Sequence, residues 1–239
     1  MPKLSRRNII RYSALALVTV ATVIIWVQFI STVKYEKNYQ PSKAFWAWEA
    51  QHRIELIDSL LDTKLMTEAR RNWGGDVNVE AFANYIILLQ NRAYDIPDEM
   101  APPKVMLISM RGDANGVYIP EDKTLYINSK MHWRRLPFER FVEVILHENM
   151  HHILTYYGGY IDPANPLKKD FDMLAKAAVN HQHGLYDQDN MQDNMQEVIA
   201  WRAQRAARYA GILNAGLSAW DMTTRMQEIR GLQREAGFE

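Results

Sequence analysis

The sequence predicts an α+β fold, mostly helical with a small antiparallel sheet and preceded by one N-terminal transmembrane helix. Three observations predict it. Tyr12 to Thr32 is an uncharged apolar run, apolar residues on both sides of the chain's middle recur at three- and four-residue spacings, and short β-rich segments gather between Lys104 and Asn128. Seven Trp and twelve Tyr are the aromatic supply of a folded domain and exclude a chiefly disordered chain.

The apolar run, YSALALVTVATVIIWVQFIST, is twenty-one residues long. About 20 helical residues at a rise of 1.5 Å suffice to cross a hydrocarbon core of roughly 30 Å. Lys3, Arg6, Arg7 and Arg11 precede it, against Lys34 and Lys37 after it, which favours a cytoplasmic N-terminus and an exported remainder. Phe29 to Lys34 contains no small-x-small cleavage site, so residues 1–34 read as an uncleaved signal anchor of a single-pass membrane protein and residues 35–239 as its exported domain. Ser5-Arg6-Arg7-Asn8-Ile9-Ile10-Arg11 also resembles a twin-arginine export signal, the alternative route to the same side of the membrane.

Beyond a polar tether with Pro41, apolar residues from Phe45 to Met66 predict an amphipathic helix reaching about Arg71, ended by Gly74-Gly75-Asp76. A second helix is expected over Val79 to Arg92, with Phe82, Tyr85, Ile86 and Leu89 on one side and prolines 97, 102 and 103 closing the unit. Val105–Ile108, Gly116–Ile119 and Thr124–Ile127 read as strands, with Pro120-Glu121-Asp122-Lys123 as a hairpin turn between the last two. From Pro137 a helix is expected to run to about Tyr157, with Gly158-Gly159 past its end. A loop from Tyr160 to Asn165 and two or three further helices complete the chain, the last opening at Ser218.

Composition excludes several functions. There are no cysteines, so disulfide scaffolds, thiolate nucleophiles and Cys-based zinc sites are out. Lys plus Arg equals Asp plus Glu at 28 each, and Arg134-Arg135 and Arg202/Arg205 are short clusters without interleaved aromatics, so a nucleic-acid partner is not expected. Asp187, Asp189, Asn190 and Asp193 lack the spacing and glycine of a calcium loop.

One motif carries chemistry. His147-Glu148-Asn149-Met150-His151 lies inside the helix expected from Pro137, and residues four apart on a helix differ by about 40° around its axis, so both imidazoles can reach one ion. Glu148, about 100° round from His147, stands where a general base could act on bound water. Zinc suits imidazole donors and lowers the pKa of bound water to roughly 7. Phe141, Val142, Val144, Ile145, Leu146, Ile153 and Leu154 surround the motif, and polar groups in so apolar a helix need a compensating partner.

On HENMH and the hairpin before it, the stretch from Lys104 to Arg205 resembles the zincin metallopeptidases. The resemblance implies a zincin-like domain that holds Zn2+ and hydrolyses a peptide or protein substrate, with an edge strand, Gly116 to Ile119 or Thr124 to Asn128, pairing with extended substrate. Leu154 and Tyr157 stand where the metzincin subclass needs Gly and His, which excludes it. Gluzincins place a third ligand, Glu, on a later helix, and Glu197 in Gln196-Glu197-Val198-Ile199-Ala200 is the preferred match. Aspzincins take an Asp soon after the motif helix, which leaves Asp162 of Gly159-Tyr160-Ile161-Asp162 as the alternative. His181, His183, Tyr156, Tyr157 and Tyr209 are open candidates for donating to the developing oxyanion.

A membrane-anchored zinc metallopeptidase is therefore the expected function, with His147, His151 and Glu197 on the metal and Glu148 as base. The alternatives are a zinc-binding protein without hydrolysis and an anchored helical interaction protein without metal.

Overall fold

The computed structural model of the protein describes residues 39–61, 64–73, 78–110, 114–129, 137–182 and 195–214. The expected span at Tyr12–Thr32 and the helix expected from Ser218 lie outside the described residues. Among those described, no helix is long and apolar enough to cross a membrane.

The chain folds as α1 (Lys43–Leu61), α2 (Lys64–Arg71), α3 (Val79–Ala93), β1 (Lys104–Ile108), β2 (Gly116–Ile119), β3 (Thr124–Asn128), α4 (Phe138–Tyr156), a 3-10 turn (Tyr157–Tyr160), α5 (Lys168–Gln182) and α6 (Met195–Asn214). The fold is thus α+β and mostly helical. Of the single helix expected to reach Arg71, the described parts are Lys43–Leu61 and Lys64–Arg71, and residues 62–63 between them lie outside the described residues.

Helix boundaries follow local chemistry. Ser42 Oγ accepts from Phe45 N at 3.2 Å and starts α1, while Asn78 Oδ1 accepts from Ala81 N at 3.0 Å and starts α3. Asp170 on α5, 1% exposed, fastens the beginning of α1 from outside by accepting from Tyr39 OH at 2.5 Å, Ser42 N at 2.8 Å and Ser42 Oγ at 2.7 Å.

The three strands form one sheet in the order β1-β3-β2, and it is mixed where an antiparallel sheet was expected. β2 pairs antiparallel with β3, as the tight connection through Pro120–Lys123 requires, with Lys123 at φ 51° and Asp122 Oδ1 accepting from Thr124 N at 3.0 Å. β1 pairs parallel with β3. The physical reason is the connection from residue 109 to 115, which has to bridge two strand spacings, about 9.5 Å. It leaves a gap beside β1, and the returning hairpin inserts β3 there. β3 is therefore central, with Leu125 and Ile127 fully buried, and β2 is an edge.

Helix α4 is the hub of the core and packs chiefly on α6, with α3, α5 and β2 around the remainder. Phe141, Ile145, Leu146, Met150, Ile153 and Leu154 are fully buried on it, so little of its circumference faces water. Polar locks set its rotation. Asn149, fully buried at the centre of the motif, donates through Nδ2 to Gln90 Oε1 and Asn91 Oδ1, both at 3.0 Å, while Gln90 Nε2 donates to Leu146 O at 3.1 Å. Any rotation of α4 against α3 would leave these amides unsatisfied in an apolar interior, at about 1 to 3 kcal/mol each.

Candidate metal centre

The site lies where one face of α4 meets the first turn of α6. Ala200, Ala203, Ala206, Ala207 and Ala210 give α6 a low, buried surface, and short side chains let two helices approach closely. The approach carries Gln196 and Glu197 to His147 and His151.

Three donor atoms converge. His147 Nε2 lies 3.3 Å from Glu197 Oε2, His151 Nε2 lies 3.2 Å from Glu197 Oε1, and the two Nε2 atoms are 3.3 Å apart. Ligands at 2.0 to 2.1 Å from a tetrahedral zinc are separated by about 3.3 to 3.4 Å, the edge of that tetrahedron. Among the described residues this is the one group of three His or acidic side chains placed to share an ion. No family model matches the chain, and no curated protein or solved structure matches it either.

Hydrogen bonds decide which nitrogen of His151 is free. Gln196, 2% exposed, donates through Nε2 to Leu174 O at 2.7 Å, so its Oε1 is the atom facing His151 Nδ1 at 3.1 Å. An acceptor at Nδ1 requires Nδ1–H, which leaves the Nε2 lone pair aimed at the carboxylate of Glu197. Two lone pairs face each other across 3.2 Å unless a cation stands between them, either a proton on Nε2 or a metal ion. The site therefore fits a divalent ion with nitrogen and oxygen preference.

The protonic alternative leaves its mark on both partners. Burial pulls the His151 pKa down, but the hydrogen bond and charge of Glu197 outweigh it, with help from Glu148 and Gln196, and raise it to about 9. Burial raises the Glu197 pKa, yet its hydrogen bonds and charge interactions with the two histidines hold the carboxyl well below its ordinary range. His147 Nδ1 is buried with no hydrogen-bond partner among the described residues.

Glu148 points to the sheet side of the cluster. Its Oε2 accepts from the main-chain N of Tyr118 on β2 at 2.9 Å, and its charge reaches His151. Gly116 permits the approach, since a Cβ there would stand 2.8 Å from Val144 Cγ1 and 3.3 Å from Glu148 Cγ. His152 is engaged away from the His147, His151 and Glu197 cluster. Its Nδ1 lies 2.8 Å from Tyr118 OH and its Nε2 3.0 Å from Ala101 O. Burial, then the Tyr156 phenol and the acids Asp122 and Glu121, push the Tyr118 phenol well above its ordinary range. Because the Ala101 carbonyl requires a proton on Nε2, Nδ1 is left to accept from the phenol. Burial drives His152 down to about 4, with Lys123 adding to the fall and the Ala101 carbonyl opposing it.

The structure thus brings together His147, His151 and Glu197, with Glu148 adjacent. Asp162 is not among them: it is exposed and closes a local turn, its Oδ1 accepting from Ala164 N at 2.7 Å. Tyr156 OH donates to Pro120 O at 2.7 Å and Tyr157 stacks on Trp48, so both are engaged elsewhere, while Tyr209 packs against the core. His181 falls in the last turn of α5, where a loop was expected; His183, Asp187, Asp189, Asn190 and Asp193 lie outside the described residues. Sequence reasoning passed over Gln196 and Tyr118. The position of Gln196 directly before Glu197 was the available signal, whereas nothing local marks Tyr118.

Proposed function

We propose that the chain is a membrane-anchored zinc metallopeptidase, with residues 12–32 as its anchor, residues 35–239 exported and Glu148 as general base. The observation that carries this reading is the mutual spacing of 3.2 to 3.3 Å among His147 Nε2 and His151 Nε2 on α4 and the Glu197 carboxylate on α6, with an acid, Glu148, directly after His147. His147, His151 and Glu197 would hold the ion, and Gln196 would keep the His151 ring turned with Nε2 towards it. A bound zinc ion lowers the pKa of a water molecule towards neutrality and polarises a carbonyl. Glu148 accepts a proton from the attacking water and returns it to the departing amine nitrogen as the C–N bond breaks. β2 supports a peptide substrate, because it is the sheet edge beside Glu148 and a strand can be added there. β3, the other strand expected to serve, is central and has no free edge.

Two measurements test the reading together. Elemental analysis of the purified chain should find close to one zinc, and less than about half an equivalent counts against the metal assignment. Glu148→Gln should keep the zinc and abolish peptide hydrolysis; a variant as active as the parent ends the assignment of Glu148 as base.

A further inference from the structure

An edge strand offers main-chain groups on its outer side, and which residues supply them follows from the ladder. Asn128 N donates to Asn115 O at 3.0 Å, and hydrogen-bonded and non-bonded pairs alternate along an antiparallel ladder. The main-chain groups of Val117 and Ile119 therefore turn towards β3, and those of Gly116 and Tyr118 turn outwards. The outward N–H of Tyr118 is not left for solvent. It meets Glu148 Oε2 at 2.9 Å.

The rest of Tyr118 is equally constrained. Its side chain is buried, 6% exposed, and the phenol donates to His152 Nδ1 at 2.8 Å, while His152, 1% exposed, is itself pinned to Ala101 O at 3.0 Å. One residue is therefore held at three places: its strand, its phenol and its amide. On the other flank, the hydrogen of Gly116 leaves just enough room for the Glu148 stem, since a Cβ there would come within 3.3 Å of Cγ. The carboxylate sits between these two positions of one strand.

We infer that Tyr118 is a positioning residue for Glu148. Its amide fixes Oε2 and so leaves Oε1 to take the proton from water, while the Tyr118–His152 bond sets the height of the strand that carries the amide. The inference deepens, and in its catalytic part rests on, the reading of Glu148 as base. It also narrows what β2 offers a ligand: with the Tyr118 amide occupied, an extended peptide is left the carbonyl of Tyr118 and the main chain of Gly116.

Amide hydrogen exchange on the full-length chain tests the contact whether or not the chain proves to be a hydrolase. In Glu148→Ala the Tyr118 amide should lose at least about tenfold protection while Val117 and Ile119, bonded to β3, keep theirs. Unchanged protection at Tyr118 overturns the inference. The catalytic part is read from kcat against KM at constant zinc content. Tyr118→Phe and His152→Phe should each lower kcat by roughly tenfold with little change in KM, and the double variant should be no worse than either single one. His152→Gln, which can serve both hydrogen-bond partners, should restore most of the loss. A Tyr118→Phe enzyme with parental kcat and merely a lower melting temperature assigns the bond to stability alone and overturns the positioning role. An inert parent chain with normal zinc content removes the hydrolase reading, and the exchange result then decides the Glu148 contact by itself.

Discussion

Mild acid should destabilise this protein through one side chain. His152 is 1% exposed and uncharged, donating from Nε2 to Ala101 O and accepting at Nδ1 from Tyr118. Its folded pKa of about 4 lies below the 6.5 of an unperturbed histidine, so between those values the unfolded chain binds a proton that the folded chain refuses. The contribution is fully present above pH 6.5 and is lost as pH falls towards 4. At 1.36 kcal/mol per unit the whole shift of about 2.5 units is worth roughly 3 kcal/mol, of which about 2 should be gone by pH 5. The window from pH 6.5 to 5 isolates the effect in the metal-free protein. His151, raised to about 9, contributes stability that is complete below 6.5 and lost only as pH climbs through 9. Glu197, held low, contributes stability that fails only below its ordinary pKa of 4.5. Urea unfolding of the chelator-treated chain at pH 6.5, 6.0, 5.5 and 5.0, followed by tryptophan fluorescence, gives the slope. His152→Gln keeps both partners and removes the titration, so its curve should flatten by about 2 kcal/mol relative to the parent across the window. Parallel curves for the two proteins would refute the assignment of a neutral, buried His152.

Metal loading at pH 7 should release close to one proton, because the metal-free His151 is protonated up to about pH 9; titration calorimetry in buffers of different ionisation enthalpy measures it, and heats independent of buffer contradict it. Gln196→Met should weaken zinc binding by roughly 10- to 100-fold in a competition titration, since it removes the acceptor that fixes the His151 tautomer. Gly116→Ala should destabilise by about 1 to 3 kcal/mol in urea, because the new methyl lies 2.8 Å from a branched and stiff Val144 side chain that must shift.

The parts of this protein that follow from periodicity were legible before any coordinates. Helix α4 shows it best: the spacing of His147 and His151 is enough to put both imidazoles on one face, and the apolar residues around them imply burial. Glu197 could be preferred over Asp162 because its helix follows the motif and carries apolar neighbours, but the sequence could not place either beside the histidines. In the structure Glu197 lies beside both histidines, while Asp162 closes a local turn with Ala164 N. Sheet order was not legible, because a strand's pattern says which face is buried and nothing about which neighbour it takes; the hairpin β2-β3 could be read, the insertion of β3 beside β1 could not. Tyr118 was hidden for a related reason. Its two bonds join β2 to α4 across 30 and 34 residues of sequence, and one of them uses a main-chain amide that every residue possesses.

Helix α5 ties the first described residues to the histidine cluster. Asp170 grips Tyr39 and Ser42, and Leu174, four residues further along the same helix, offers the carbonyl that orients Gln196 and through it His151. About one helical turn, a rise of roughly 6 Å, separates the two grips. The start of α1 and the amide that orients the His151 ring are therefore both fastened to the same stretch of α5.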